Sequence, residues 1–70
     1  MDEFLAKVAE ILEVASVTPD FKFREIDEWD SLKGFSLIVL MEQDYGKEMS
    51  VETFLKSETV GDLARFAGVA

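Results

Sequence analysis

The tripeptide Asp30-Ser31-Leu32 sets a hydroxyl at the boundary between a polar connection and a long apolar run. Asp30 suits a helix N-cap, because its carboxylate accepts from amides two or three residues further on, and Ser31 then falls in the first turn. Four carboxylates crowd this boundary: Glu25, Asp27, Glu28 and Asp30. They could hold a divalent cation weakly, but their spacing matches no defined calcium loop. A solvated acidic rim that steers partners is the simpler reading, and no metal ion is assigned. Trp29 could stack on a ligand; it reads more simply as an aromatic plug beside Ser31. Missing residues narrow the chemistry further. Histidine and cysteine are both absent, so no side chain titrates near neutrality unless perturbed. A small, mostly exposed chain is also a poor place to desolvate a carboxylate or lysine into a general base. No GxGxxG, phosphate-binding glycine loop, HExxH or EF-hand spacing occurs. The chain is therefore read as a non-enzyme, and a hydrolase or transferase is left almost without support.

The elements that must position Ser31 follow from periodicity. Phe4, Leu5, Val8, Ile11, Leu12 and Ala15 recur at three- and four-residue spacing, which predicts a helix over about residues 3–15. Asp2 is its expected cap, and Glu3 and Lys7 are paired one turn apart. Residues 16–29 break the period. Thr18-Pro19 marks a turn or short helical start, and Phe21, Phe23, Ile26 and Trp29 read as anchors pinning a long connection. The second helix is expected from after Asp30 to about Tyr45, stopped by Gly46. Its apolar residues cover more than one face. Ile38, Met41 and Tyr45 form a stripe assigned to the core, while Leu32, Phe35 and Val39 form another. One bundle cannot cover both, so part of this surface is expected to meet a partner. For Phe35, docking and core packing remain equal readings. Ser50 is the expected cap of a short third helix over Val51–Lys56. Thr59 and Asp62 fit a capping box, and Val60, Leu63, Ala64 and Ala67 give the last helix its inner stripe. The expected fold is all-α: a small four-helix bundle with a long first connection and a short third helix, over residues 1–70 as a single domain.

Composition bounds the partners. Fifteen acidic residues against seven basic ones give a net charge of −8. That surface repels phosphate backbones and anionic headgroups, which argues against nucleic-acid or membrane binding. It favours encounter with proteins that present basic patches, although acidity also simply keeps a small domain soluble. The longest apolar run, Leu37 to Met41, is too short to span a bilayer. The acidic start Met1-Asp2-Glu3 leads no signal-like apolar stretch. A cytoplasmic monomer is the expectation.

With these elements in place, the sequence resembles the acyl carrier protein family. The likeness takes in the amphipathic first helix, Phe23 in the long connection, and Trp29-Asp30-Ser31-Leu32. It continues through Glu42-Gln43-Asp44-Tyr45-Gly46, Met49, and Thr59-Val60-Gly61-Asp62-Leu63, nearly the whole chain. A lone DSL is weak; its place in this order is more specific.

The resemblance implies that Ser31 receives 4'-phosphopantetheine from coenzyme A through a phosphopantetheinyl transferase, and that acyl groups then ride on the terminal thiol. A phosphate on Ser31 would face unpaired amides and the positive end of the helix dipole. Asp30 would cap the helix and, by the same resemblance, help position the transferase's magnesium. Leu32 adjoins the attachment point, and Leu32, Phe35 and Val39 become the expected docking strip for acyl ligase, synthase or transferase enzymes with basic docking patches. The chain departs from the family pattern in Glu28-Trp29, where glycine is common, and in Lys33 and Ser36, where carriers of general fatty acid synthesis place acidic residues. A specialised stand-alone carrier of acyl, hydroxyacyl or aminoacyl cargo is therefore favoured within fatty-acid, polyketide or other acyl metabolism. The reading from a different class is an unmodified acidic module that docks through its second helix.

Overall fold

A computed structural model describes all seventy residues, Met1–Ala70. It contains four helices in chain order: α1 (Asp2–Leu12), α2 (Ser31–Tyr45), α3 (Val51–Lys56) and α4 (Val60–Ala67), with a 3-10 turn over Phe23–Glu25 in the long first connection. The chain is an all-α four-helix domain, and its one β-bridge pairs Lys22 with Thr59.

α1 differs from expectation at both ends. Asp2 is not the cap: Met1 holds that position with no side-chain bond, and Asp2 lies in the first turn. There its charge, with that of Glu3, still meets the positive end of the dipole. The helix stops at Leu12 rather than near residue 15, because Glu13 turns left-handed at φ 61°. The Val14 amide then donates back to the Ala9 carbonyl. This turn exposes Ala15, which the periodicity had assigned to the inner face, and drives Val17 into the core. The Glu3–Lys7 pair forms at 3.0 Å, and Lys7 also meets Asp44 at 3.0 Å, tying α1 to the end of α2. Hydrogen bonding to Asp44 first and Glu3 second holds the Lys7 proton more tightly than in an ordinary lysine.

Each later helix starts on the residue expected of it. The Asp30 carboxylate accepts from the Lys33 amide, Ser50 Oγ from Thr53, and Thr59 with Asp62 completes a capping box. Gly46 ends α2 in the left-handed conformation at φ 66°, which glycine adopts without steric cost. The core forms where the apolar faces meet. Phe4, Val8 and Leu12 of α1 join Leu37 and Met41 of α2 and Val60, Leu63 and Ala64 of α4. Phe23 is fully buried, whereas Phe21, Ile26 and Trp29 pack half-buried against the core.

The long connection is held by backbone as well as by aromatic anchors. The first amides of a helix have no intrahelical acceptor. In α4, the Val60 amide donates to the Phe21 carbonyl at 2.9 Å and the Gly61 amide to the Pro19 carbonyl at 2.7 Å. Arg24 clamps the other side. Its Nη2 donates to the carbonyls of Phe54 (2.8 Å) and Leu55 (3.1 Å), and also to that of Ser57, at the negative end of α3. The connection thus bridges α3 and α4 before delivering the chain to α2.

Candidate functional site

Ser31 is the first residue of α2 and is exposed to solvent. Asp30 reaches that point in extended conformation, φ −147°, and its Oδ1 accepts from the Lys33 amide at 2.9 Å. The first intrahelical donor is Gly34, bonded to the Asp30 carbonyl at 3.3 Å. With Lys33 committed to the cap, the Ser31 and Leu32 amides are the first-turn donors without an intrahelical acceptor. An anion held beside Ser31 would find these amides and the positive end of a fifteen-residue helix.

The Lys33 stem is mostly covered. Its ammonium lies 3.9 Å from Asp30 and 3.8 Å from Glu13, so it spans the end of α1 and the start of α2. No acidic residue stands in the first turn of α2. The carboxylates of the preceding connection do not converge into a set of three that could hold a metal ion.

The residues named from the sequence around Ser31 divide by exposure. Leu32 and Phe35 are 75% and 65% exposed, which decides Phe35 against core packing; Val39, one turn further on, is half-buried. Met41 is fully buried as expected, and Ile38 and Tyr45 pack half-buried against the core. Leu37 and Leu40, which neither sequence stripe included, are buried beside Met41 and help seat α2. α3 adds two exposed apolar residues, Val51 and Leu55, each 64% exposed. Apart from Met1, all the large exposed apolar side chains therefore lie on α2 and α3. A cleft of about 320 Å³ runs between these helices, with Ser31, Phe35, Val51 and Leu55 among its walls.

Trp29 is the expected aromatic plug. Its ring stacks on Phe54 at 6.3 Å between centroids and 16° between planes, and sits 5.7 Å from buried Phe23. Gly34 makes this possible: a Cβ there would stand 3.2 Å from Trp29 and 3.3 Å from Phe54. The sequence reading missed both Gly34 and Arg24. Glycine inside a helix was the available signal, because its conformational cost asks for a packing reason. Arg24 carried no local signal, since its acceptors lie some thirty residues away.

No match was found among curated proteins or among solved structures. The family model described as the phosphopantetheine attachment site matches residues 2–67, from the start of α1 to the end of α4. On that match the chain belongs to the phosphopantetheine attachment site family, non-catalytic carriers that bear a covalent 4'-phosphopantetheine.

Proposed function

We propose that Ser31 is the residue that bears the phosphopantetheine, and that the chain is a stand-alone carrier delivering acyl cargo to partner enzymes in a dedicated pathway. The exposed hydroxyl at the start of α2 carries this reading. It is reachable by another protein, and the adjoining Ser31 and Leu32 amides suit the phosphate of the attached group. When bound, that group supplies a terminal thiol that takes acyl groups as thioesters. Asp30 fixes the first turn through its cap and keeps a carboxylate beside the hydroxyl for the transferase's magnesium. Leu32, Phe35 and Val39 present the docking strip, and Val51 and Leu55 extend it onto α3.

The specialised role rests on Lys33. Its ammonium faces Glu13 and Asp30, and the first turn of α2 carries no acidic residue where carriers of general fatty acid synthesis place acid. Acyl, hydroxyacyl and aminoacyl groups fit this role equally. No helix is long and apolar enough to cross a membrane, and we take the carrier to act in the cytoplasm as a monomer. Incubation with coenzyme A, magnesium and a broad-specificity phosphopantetheinyl transferase should add one phosphopantetheine mass. It should map to the peptide holding Ser31 and vanish in Ser31→Ala. An unmodified wild-type chain would leave only the docking-module reading.

A further inference from the structure

We infer that Trp29 determines cargo class: it seals the bundle interior behind the cleft at Ser31, leaving a shallow apolar shelf that accepts a short acyl group and leaves a long chain in solvent. This deepens the proposal that Ser31 bears the arm and rests on it. Ser31 itself lines the cleft, so a cargo tethered there needs only to fold back to reach it. The back wall sets how deep the cleft can be. Trp29 stacks on Phe54, and both pack so closely over Gly34 that a methyl group there would press on both rings, at 3.2 and 3.3 Å. Arg24 fixes Phe54 from behind, bonded to the carbonyls at the end of α3 while its guanidinium lies 5.4 Å from the Phe54 ring centre. Of the buried hydrophobic core only Phe54 lines the cleft, and Trp29 stacks on that ring. Trp29, Phe54 and Ile38 thus stand between the cleft and the core; Trp29 is the largest of them, and a close-packed core offers no spare volume behind it.

The size of the shelf sets the limit. A methylene takes up about the ~30 Å³ share of a water molecule, so the cleft of about 320 Å³ accommodates on the order of ten heavy atoms. The end of the arm and the thioester use part of that space, which leaves room for a cargo of about six carbons by the same measure.

Trp29 is the single tryptophan, so its fluorescence reports this wall directly. The test charges the full chain with acetyl-, hexanoyl- or tetradecanoyl-phosphopantetheine from the matching acyl coenzyme A, and intact mass confirms each load before any measurement. Two readouts follow: Trp29 emission and the rate at which hydroxylamine cleaves the thioester. In the wild type, hexanoyl should shift the emission and slow cleavage severalfold relative to acetyl, with no further gain for tetradecanoyl. In Trp29→Leu the wall opens, and tetradecanoyl should become severalfold better protected than hexanoyl. If circular dichroism shows that the leucine variant does not fold, Trp29→Phe, which keeps a smaller ring on Phe54, replaces it with the same expectation. Strong additional protection of tetradecanoyl in the wild type would overturn the assignment. So would a folded variant whose chain-length profile matches the wild type, because Trp29 would then be packing alone. Failure of all three coenzymes to add mass would instead overturn the carrier reading.

Discussion

Asp30 has two separable roles, and two substitutions divide them. Asp30→Ala removes the acceptor that holds the Lys33 amide at 2.9 Å. Losing such a cap costs about 1 kcal/mol. The ion pair to Lys33 adds little, since the charges stand 3.9 Å apart with the Asp30 side chain half exposed, and surface pairs contribute about 0–1 kcal/mol. A loss of about 1 kcal/mol lowers the melting temperature of a domain this size by about 4–8 °C. Asparagine caps about as well as aspartate, so Asp30→Asn should melt within about 0.5 kcal/mol of the wild type. The transferase assay then isolates the charge. If the carboxylate supports the magnesium of the loading reaction, both variants load slowly although only the alanine variant is destabilised. A supporting contact to a metal centre is worth about 10–100-fold, and a deficit of that size is expected for Asp30→Asn at saturating coenzyme A. Normal loading of the asparagine variant would refute the charge role and leave Asp30 a cap. An Asp30→Ala chain as stable as the wild type would refute the cap energetics, leaving the Gly34–Asp30 backbone bond to hold the turn.

Three further outcomes test the scaffold and the docking face. Gly61→Ala places a Cβ 2.9 Å from the Pro19 carbonyl oxygen; overpacking of this kind costs about 1–3 kcal/mol and should exceed the helix-propensity gain of about 1 kcal/mol. A raised melting temperature would show that the connection yields. Asp62 is held below the usual carboxylate value of 3.8 by the Glu58 and Thr59 amides. Its stabilisation is therefore full above that value and fades as pH falls through the lower folded-state pKa. Protonation also relieves the repulsion of a chain with net charge −8, so the wild type must be compared with Asp62→Asn in denaturant midpoints from about pH 5 downward; an unchanged difference across that range would contradict the expectation. Phe35→Ala removes a side chain that is 65% exposed, so stability should stay within about 0.5 kcal/mol while processing by partner enzymes slows; unfolding would return Phe35 to the core.

What the sequence made legible was local. The starts of α2, α3 and α4 each rest on a capping side chain within a few residues of the amide it serves, and such pairs can be read from spacing alone. The end of α1 could not. Val14 and Ala15 prolong its apolar period, and the left-handed turn falls on a glutamate, a residue with no special preference for that conformation. In α2, apolar residues surround the helix so fully that the period cannot choose a face. Leu37 and Leu40 were decided by what packs against them. The contacts behind the cleft are less visible still, because Trp29, Gly34 and Phe54 meet across three elements and Arg24 reaches a helix end far along the chain.

These distant contacts explain why Ser31 is presented as it is. α2 is gripped from one side by Leu37, Leu40 and Met41, by the Lys33 ion pairs at its start and by the Lys7–Asp44 pair at its end. Its opposite side, bearing Leu32 and Phe35, is left largely open to solvent. Fixed helix ends beneath an unpaired apolar face favour a rigid platform over a segment that must fold on contact, so little ordering entropy opposes docking. The charge works at another range. A net charge of −8 raises the encounter rate with a basic partner and weakens with salt. The apolar face of Leu32 and Phe35 acts only on contact. On the proposed reading, salt should therefore slow capture by a partner enzyme much more than it loosens the docked complex.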